Sequence, residues 1–304
     1  MAQIFYEGKD ITADVEVSDL VITDSCGDQA DAIDVKLANS ENQWSDWNPQ
    51  KQDSLSIVNS GYRSGTMWID RVRQEIGLIH LGAVSIPPSG KTKRMRAWEN
   101  TTLITIAAQL AAAYGLSARF IHVPAYTYAR VDQLGRGDFG FLQERAVLEG
   151  CSIKVQDGKL FVFSDSDMEA QTPVKRIAAA DMLEEPRFSN SSGSTYSGCT
   201  VAWQSFGGTF TDADMTGPEL SISTYPVSSS GEAQRFAKNL LRSYNKKGET
   251  GEIAVVLDTT ITAGNVVSIT GMGLSDGNYF IDTAQHSFAE EISRLTMHRC
   301  FTRY

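Results

Sequence analysis

The stretch from Asp138 to Phe163, DFGFLQERAVLEGCSIKVQDGKLFVF, constrains this chain most, because its punctuation admits one reading: a helix running straight into a hairpin. Phe141, Leu142, Ala146 and Leu148 recur at a spacing that gathers them on one side of a three-turn helix, with Gln143, Glu144 and Glu149 left to the wet side. Asp138 is placed to cap the free amides of the first turn, and Gly150 supplies the left-handed residue that stops a helix of this length. Ile153 and Val155 follow at strand spacing, Asp157-Gly158 makes a tight turn, and Leu160 to Phe163 is the return strand. Taken alone, this unit is structural and carries no chemistry.

On its N-terminal side the pattern is of short strands. Val15 and Val17 alternate with polar residues, as do Ile33, Val35 and Leu37, then Leu55 and Ile57, and Met67 to Ile79 suits two more. Trp44 and Trp47 flank a loop and are read as capping the end of a barrel. Composition changes after Pro87-Pro88-Ser89-Gly90. Asn100 is positioned to cap a helix with Leu103, Ala107, Leu110 and Tyr114 on one stripe, ended by Gly115. Phe120 to Val123 reads as a strand, followed by a polar loop, LGRGD, that lacks the Lys-Ser or Lys-Thr of a phosphate loop. Beyond Phe163, Thr200 to Trp203 reads as a strand and Ser205 to Ser221 as a long turn. Ser229 and Glu232 open a third helix with Ala233, Ala237, Leu240 and Tyr244 on its stripe, and alternating strands follow from Glu252 to Phe301. The expected fold is α+β, mainly β: two antiparallel β-barrel domains, 1–90 and 166–304, flanking a small α/β insert, 91–165.

Composition excludes several classes. At 304 residues, with 41% apolar and 21% charged residues, the chain suits a globular protein rather than a disordered or fibrous one. The start, MAQIFYEGKD, lacks the basic and apolar regions of a cleaved leader, and the window from Leu103 to Tyr114 is too short to span a bilayer, so synthesis and folding in the cytoplasm without membrane insertion are expected. Cys26, Cys151, Cys199 and Cys300 are widely spaced and read as reduced thiols. A net charge of −10 argues against a nucleic-acid-gripping surface. The acid is concentrated at the start, where Glu7, Asp10, Asp14, Glu16, Asp19, Asp24, Asp28, Asp31 and Asp34 face the single base Lys9, while Lys91, Lys93, Arg94 and Arg96 form a basic run.

Catalytic signals are weak. His80, His122, His286 and His298 lie in separate strands without ligand spacing, no G-x-S-x-G elbow occurs, and Asp212 with Asp214 is a poor candidate for a glycosidase pair. The expectation is a protein without cofactor, metal site or enzymatic activity.

The order and spacing of these units resemble the baseplate hub proteins of contractile phage tails, the late control protein D family. The carrying features are Ile33-Asp34-Val35, RAWENTTLITIAAQLAAAYGL, DFGFLQERAVLEG with its hairpin, SSGEAQRFAKNLLRSY and TAGNVVSITGMGLSDGNYFIDTAQHSF. The resemblance implies a homotrimer whose six barrels form a ring adapting a sixfold tail tube to a threefold spike, in the virion tail baseplate or a phage-tail-like particle assembled in the host cytoplasm. It implies contacts with the tube, other baseplate proteins and a separate spike protein, since the repetitive needle of related type VI secretion spike proteins is missing here. DNA or a tape-measure protein would pass through the channel without specific binding. Asp10, Asp14, Asp19, Asp24, Asp28, Asp31 and Asp34 are then candidate channel-lining acids, because a negative wall lets phosphate slide; solubilising an outer face is the alternative. A glycan-binding or wall-degrading tail-tip module and, more remotely, a barrel for single-stranded nucleic acid are the competing functions.

Overall fold

The computed structural model describes residues 2–27, 29–40, 42–59 and 62–304. The helix Asp138–Leu148 and the hairpin of Cys151–Gln156 and Lys159–Ser164 form as the pattern requires, with Asp157 and Gly158 both at positive φ in the turn. Phe141, Leu142, Ala146 and Leu148 are buried. Two details differ. Asp138 is the first helical residue and Gly137 the cap; its carboxylate turns inward to Arg94 and Arg96 instead of to the helix amides. Glu149 is buried, because Tyr128 donates to it at 2.6 Å and Arg235 reaches it at 2.8 Å.

Around this unit lies a middle module with its own core. Trp98 stacks on Phe141 at 4.9 Å and 2°, and the helices Leu103–Ala113 and Ser230–Asn245 bury apolar faces in the same cluster, although Tyr244, expected on the second helix's stripe, is exposed. The first of these is capped by Thr102, not Asn100, which instead lies within the strand Arg94–Thr102 at positive φ. That strand pairs with Thr127–Arg136, whose last three residues fall in the LGRGD stretch expected to be loop. Ser205 to Ser221 is likewise mostly strand: Phe206–Thr211 and Glu219–Ile222 flank Gly198–Trp203. Gly208 permits this, since a Cβ there would sit 2.2 Å from the backbone nitrogen of Gln234 on the helix crossing it. Residues 198–245 thus share the middle core, and a boundary at 166 followed by one unbroken barrel domain does not describe how the interior is divided.

The remaining strands are antiparallel in the main and make two further cores, one from residues 2–84 and one from 177–297. Trp44 is buried on the short helix Gln43–Trp47, edge-on to Trp47 at 4.9 Å and Tyr6 at 6.5 Å, closing one end of the first core. Both modules belong to one 14-stranded sheet. The architecture is α+β and mainly β, as expected, although among the described residues no ladder closes either module into a separate barrel. The reason is the 11-residue strand Gly277–Ser287, whose first half pairs with Val266–Thr270 of its own module and whose second half pairs with Val17–Ser25 of the other.

Candidate functional site

The junctions between modules concentrate the buried charge. Asp24, fully buried on the last turn of Val17–Ser25, forms an ion pair with Lys154 of the central hairpin, whose ammonium also donates to the Ala263 carbonyl at 3.1 Å. The other Asp24 oxygen accepts from the Ala263 amide at 3.0 Å. Asp31 lies alongside, 1% exposed, and accepts from the Ser25 amide at 2.9 Å. Burial first, and the neighbouring Asp24 charge second, push the Asp31 carboxyl well above the usual range. One point therefore ties the first module, the middle module and the second module together.

A second cluster pins the end of the chain. Glu169 contacts Arg242 at 3.0 Å and His298 at 3.5 Å and accepts from the Phe301 amide, while Arg242 donates to the Phe301 and Tyr304 carbonyls. Burial works against a charged His298, yet Asp282 at 2.8 Å and Glu169 raise it to about 9. A group raised in the folded state stabilises fully below its ordinary value near 6.5, and the contribution disappears as pH rises through about 9. Unfolding free energy is therefore expected to fall between pH 6.5 and 9.5 by on the order of a few kcal/mol at most. Urea titrations of His298→Gln should lose that slope; an unchanged slope would assign it to other groups.

The candidate acids are not gathered in one place. Asp24 and Asp31 are internal, so burial removes these two from the expected channel lining. Asp19 and Asp34 lie on the face of the shared sheet turned away from the core, each paired with a cation, Lys36 at 2.9 Å and Arg71 respectively. Asp10 and Asp14 are exposed near the far edge of that sheet, Asp10 accepting from the Thr12 amide at 2.9 Å. Asp28 falls outside the described residues. Of the basic run, Arg94 and Arg96 are committed to Asp138, at 3.2 and 2.6 Å. Burial opposes ionisation of Asp138, but Tyr114, Gln133 and the two guanidinium groups outweigh it and hold the carboxyl below the usual range. Lys154, central to the first junction, was missed by sequence reasoning, because a lysine between Ile153 and Val155, with Ser152 and Gln156 in step, reads as the wet face of an alternating strand.

His286 and His298 are both buried. The Asp214 amide donates to Asp212 at 3.0 Å, an ordinary turn in which Asp212 also faces Arg303 at 3.7 Å. His286 is buried against Ser293 at 2.8 Å and His122 is exposed beside Asp167. The four cysteines are free, and burial pushes the Cys199 thiol to about 11 and that of Cys300 to about 12. Among the described residues no group of His, Cys, Asp and Glu is arranged to hold a metal, and no helix is long and apolar enough to cross a membrane.

The sequence matches no family model and no curated protein. The fold is nevertheless a known one, shared with prophage tail proteins and with a type VI secretion component. The 43 kDa tail protein of prophage MuSo2 from Shewanella oneidensis superposes with a TM-score of 0.77 at 14% identity, covering 98% of both chains. A tail protein from Neisseria meningitidis MC58 gives 0.77 at 16% identity over 99% of this chain and 98% of the other. An E. coli type VI secretion component described as structurally similar to T4 tail proteins gives 0.62 at 10% identity over 99% of this chain and 78% of the other.

Proposed function

We propose that the chain is a structural hub of a phage tail or phage-tail-like particle, a trimer whose ring joins a sixfold tail tube to a threefold spike. The observation that carries this reading is that the whole chain, middle module included, follows the tail-protein fold, with two β modules welded into one sheet. Three copies of such a protomer present six similar β modules, the number needed to face a sixfold tube, while threefold symmetry is kept for the spike. The role is mechanical, and the buried ion pairs at the junctions serve it by fixing the angle between modules.

In such a ring the core-averted face of the shared sheet is the channel wall. Asp19 and Asp34 stand on it beside Lys36 and Arg71, so the wall offers passing DNA or tape-measure protein balanced pairs of charge rather than a cationic grip. Light scattering is the test of assembly. Three copies of the 33.3 kDa chain should give about 100 kDa, to which the spike's own mass adds in the complex. Twofold or sixfold stoichiometry in the spike complex would reject the reading.

A further inference from the structure

The two β modules correspond rung by rung. Arg71 to Glu75 lie opposite Gly82 to Leu78, and Thr283 to Ser287 lie opposite Thr296 to Ile292. Each ladder breaks once, between Ile69 and Arg71 in the first module and between Ile281 and Thr283 in the second. Just before the break, Ile69 exchanges backbone hydrogen bonds with Gln52 and Asp53 at 2.7 and 2.9 Å, and Ile281 does so with Gly264 and Asn265, both at 2.9 Å. Ala32 to Ala38 pair with Val84 to Leu78, as Thr250 to Val256 pair with His298 to Ile292. Finally, Val21, Ile22 and Thr23 face Asp34, Ile33 and Ala32, as Arg187, Phe188 and Ser189 face Glu252, Gly251 and Thr250.

One pairing has no counterpart. Within the chain, Thr283 to Ser287 pair with Ser25 to Val21. Among the described residues, the equivalent of the first segment, Arg71 to Glu75, pairs only with the strand Leu78–Val84, and the equivalent of the second begins at Arg187, where Arg187–Asn190 pairs only with Glu249–Val256. Two exposed strand edges are left open, and each is the shape of the other's missing partner.

We infer that these edges join between copies: Arg187–Asn190 of one chain adds antiparallel to Val72–Glu75 of the next. Transferring the internal register places Glu75 opposite Arg187 of the next copy, Gln74 opposite Phe188, Arg73 opposite Ser189 and Val72 opposite Asn190. The charges agree, since Glu75 and Arg187 become direct cross-strand neighbours. The backbone agrees too. In the internal junction the even-numbered residues bond across it, the Cys26 amide to Asp282 at 2.9 Å and the Phe288 amide to Leu20 at 3.0 Å. At the open edge the Ser191 amide bonds inward to Gly248 at 2.8 Å, which turns the backbone groups of Phe188 and Asn190 outward.

Apolar surface points the same way. Phe288, the residue after the internal junction, packs against the first module's core. Its equivalent is Ile76, whose side chain is wholly in solvent at 104% exposure. On the receiving side Leu20 corresponds to Pro186, close in sequence to Leu183, itself 52% exposed. Docking covers both. The contact is head-to-tail and closes in a ring only at the right rotation per copy; its threefold closure rests on the hub reading.

The test is disulfide capture. Arg73 and Ser189 form a non-hydrogen-bonded pair in the transferred register, where Cα atoms lie about 4.5 Å apart, within reach of a disulfide. Mild oxidation of R73C/S189C should give reducible trimers on gels. R73C alone, S189C alone and H80C/S189C, with His80 one strand further in, should not. Glu75→Arg should weaken self-association a few-fold, and E75R/R187E should restore it. A wild-type trimer in which R73C/S189C does not cross-link overturns the strand pairing and leaves the hub reading standing. Cross-linking of S189C to a different protein, with none between copies, also overturns it. Absence of any trimer, with or without spike protein, overturns both.

Discussion

Leu142→Asp is expected to yield no soluble folded protein, whereas Gly140→Ala, two residues away on the same helix, should raise the unfolding midpoint. Leu142 is 0% exposed at the centre of the middle core, where the helices Leu103–Ala113, Asp138–Leu148 and Ser230–Asn245 contribute to one cluster. An unpaired carboxylate there costs several kcal/mol, against a total stability of about 5–15 kcal/mol for an ordinary domain. The core also supports both β modules through the central hairpin, so its loss is not local. Gly140 is exposed, and a Cβ there would meet nothing within 4 Å. Alanine at this position restricts the unfolded chain and favours helix, worth about 0.5–1 kcal/mol. Expression of both variants followed by thermal unfolding decides it. Equal midpoints would mean that the buried face of the helix is drawn wrongly.

That face was legible in the sequence because a helix stripe and a D-G turn are local signals. The same holds for the helix opened by Ser229, whose hydroxyl accepts from the Glu232 amide at 3.1 Å. What was not legible is set by partners distant in the chain. Thr127–Arg136 carries no strand alternation of its own that survives its charges; it is a strand because Trp98 and Val131 face each other across its ladder and enter the core together. Phe206–Thr211 reads as a turn from its glycines, yet Gly208 is there so that a helix backbone can lie directly on the strand.

The charged residues show the limit more sharply. Nine carboxylates in the first 34 residues look alike in sequence, but one of them, Asp24, has a lysine 130 positions later as its partner, and a second, Asp34, has Arg71. Asp34 alternates with Ile33 and Val35 and so reads as facing away from the core, whereas Asp24 lies between Thr23 and Ser25, where periodicity assigns it no face. Likewise the division into two closed barrels was the economical reading of repeated strands, and the sheet is continuous because a single strand is long enough to serve two neighbours.

Lys154→Met should destabilise the protein by about 3–5 kcal/mol, the usual consequence of removing one partner from a buried ion pair. The ammonium is what Asp24 is paired with, and it also satisfies the Ala263 carbonyl. Methionine fills the volume but leaves a carboxylate, fully buried, with the Ala263 amide and the Asp31 carboxyl as its remaining partners. Asp24→Asn in the same background replaces that charge with a neutral group of the same shape, so the double variant should recover a large part of the loss, whereas Asp34→Asn, on the exposed face, should recover none. The expected defect is not confined to one module, because Asp24, Lys154 and Ala263 belong to three. Chemical denaturation should therefore show the transition shifting as a whole in the single variant, and limited proteolysis should open the chain at the junctions before it cuts within the sheet. A loss below about 1 kcal/mol would mean that packing, and not this charge, fixes the angle between the modules.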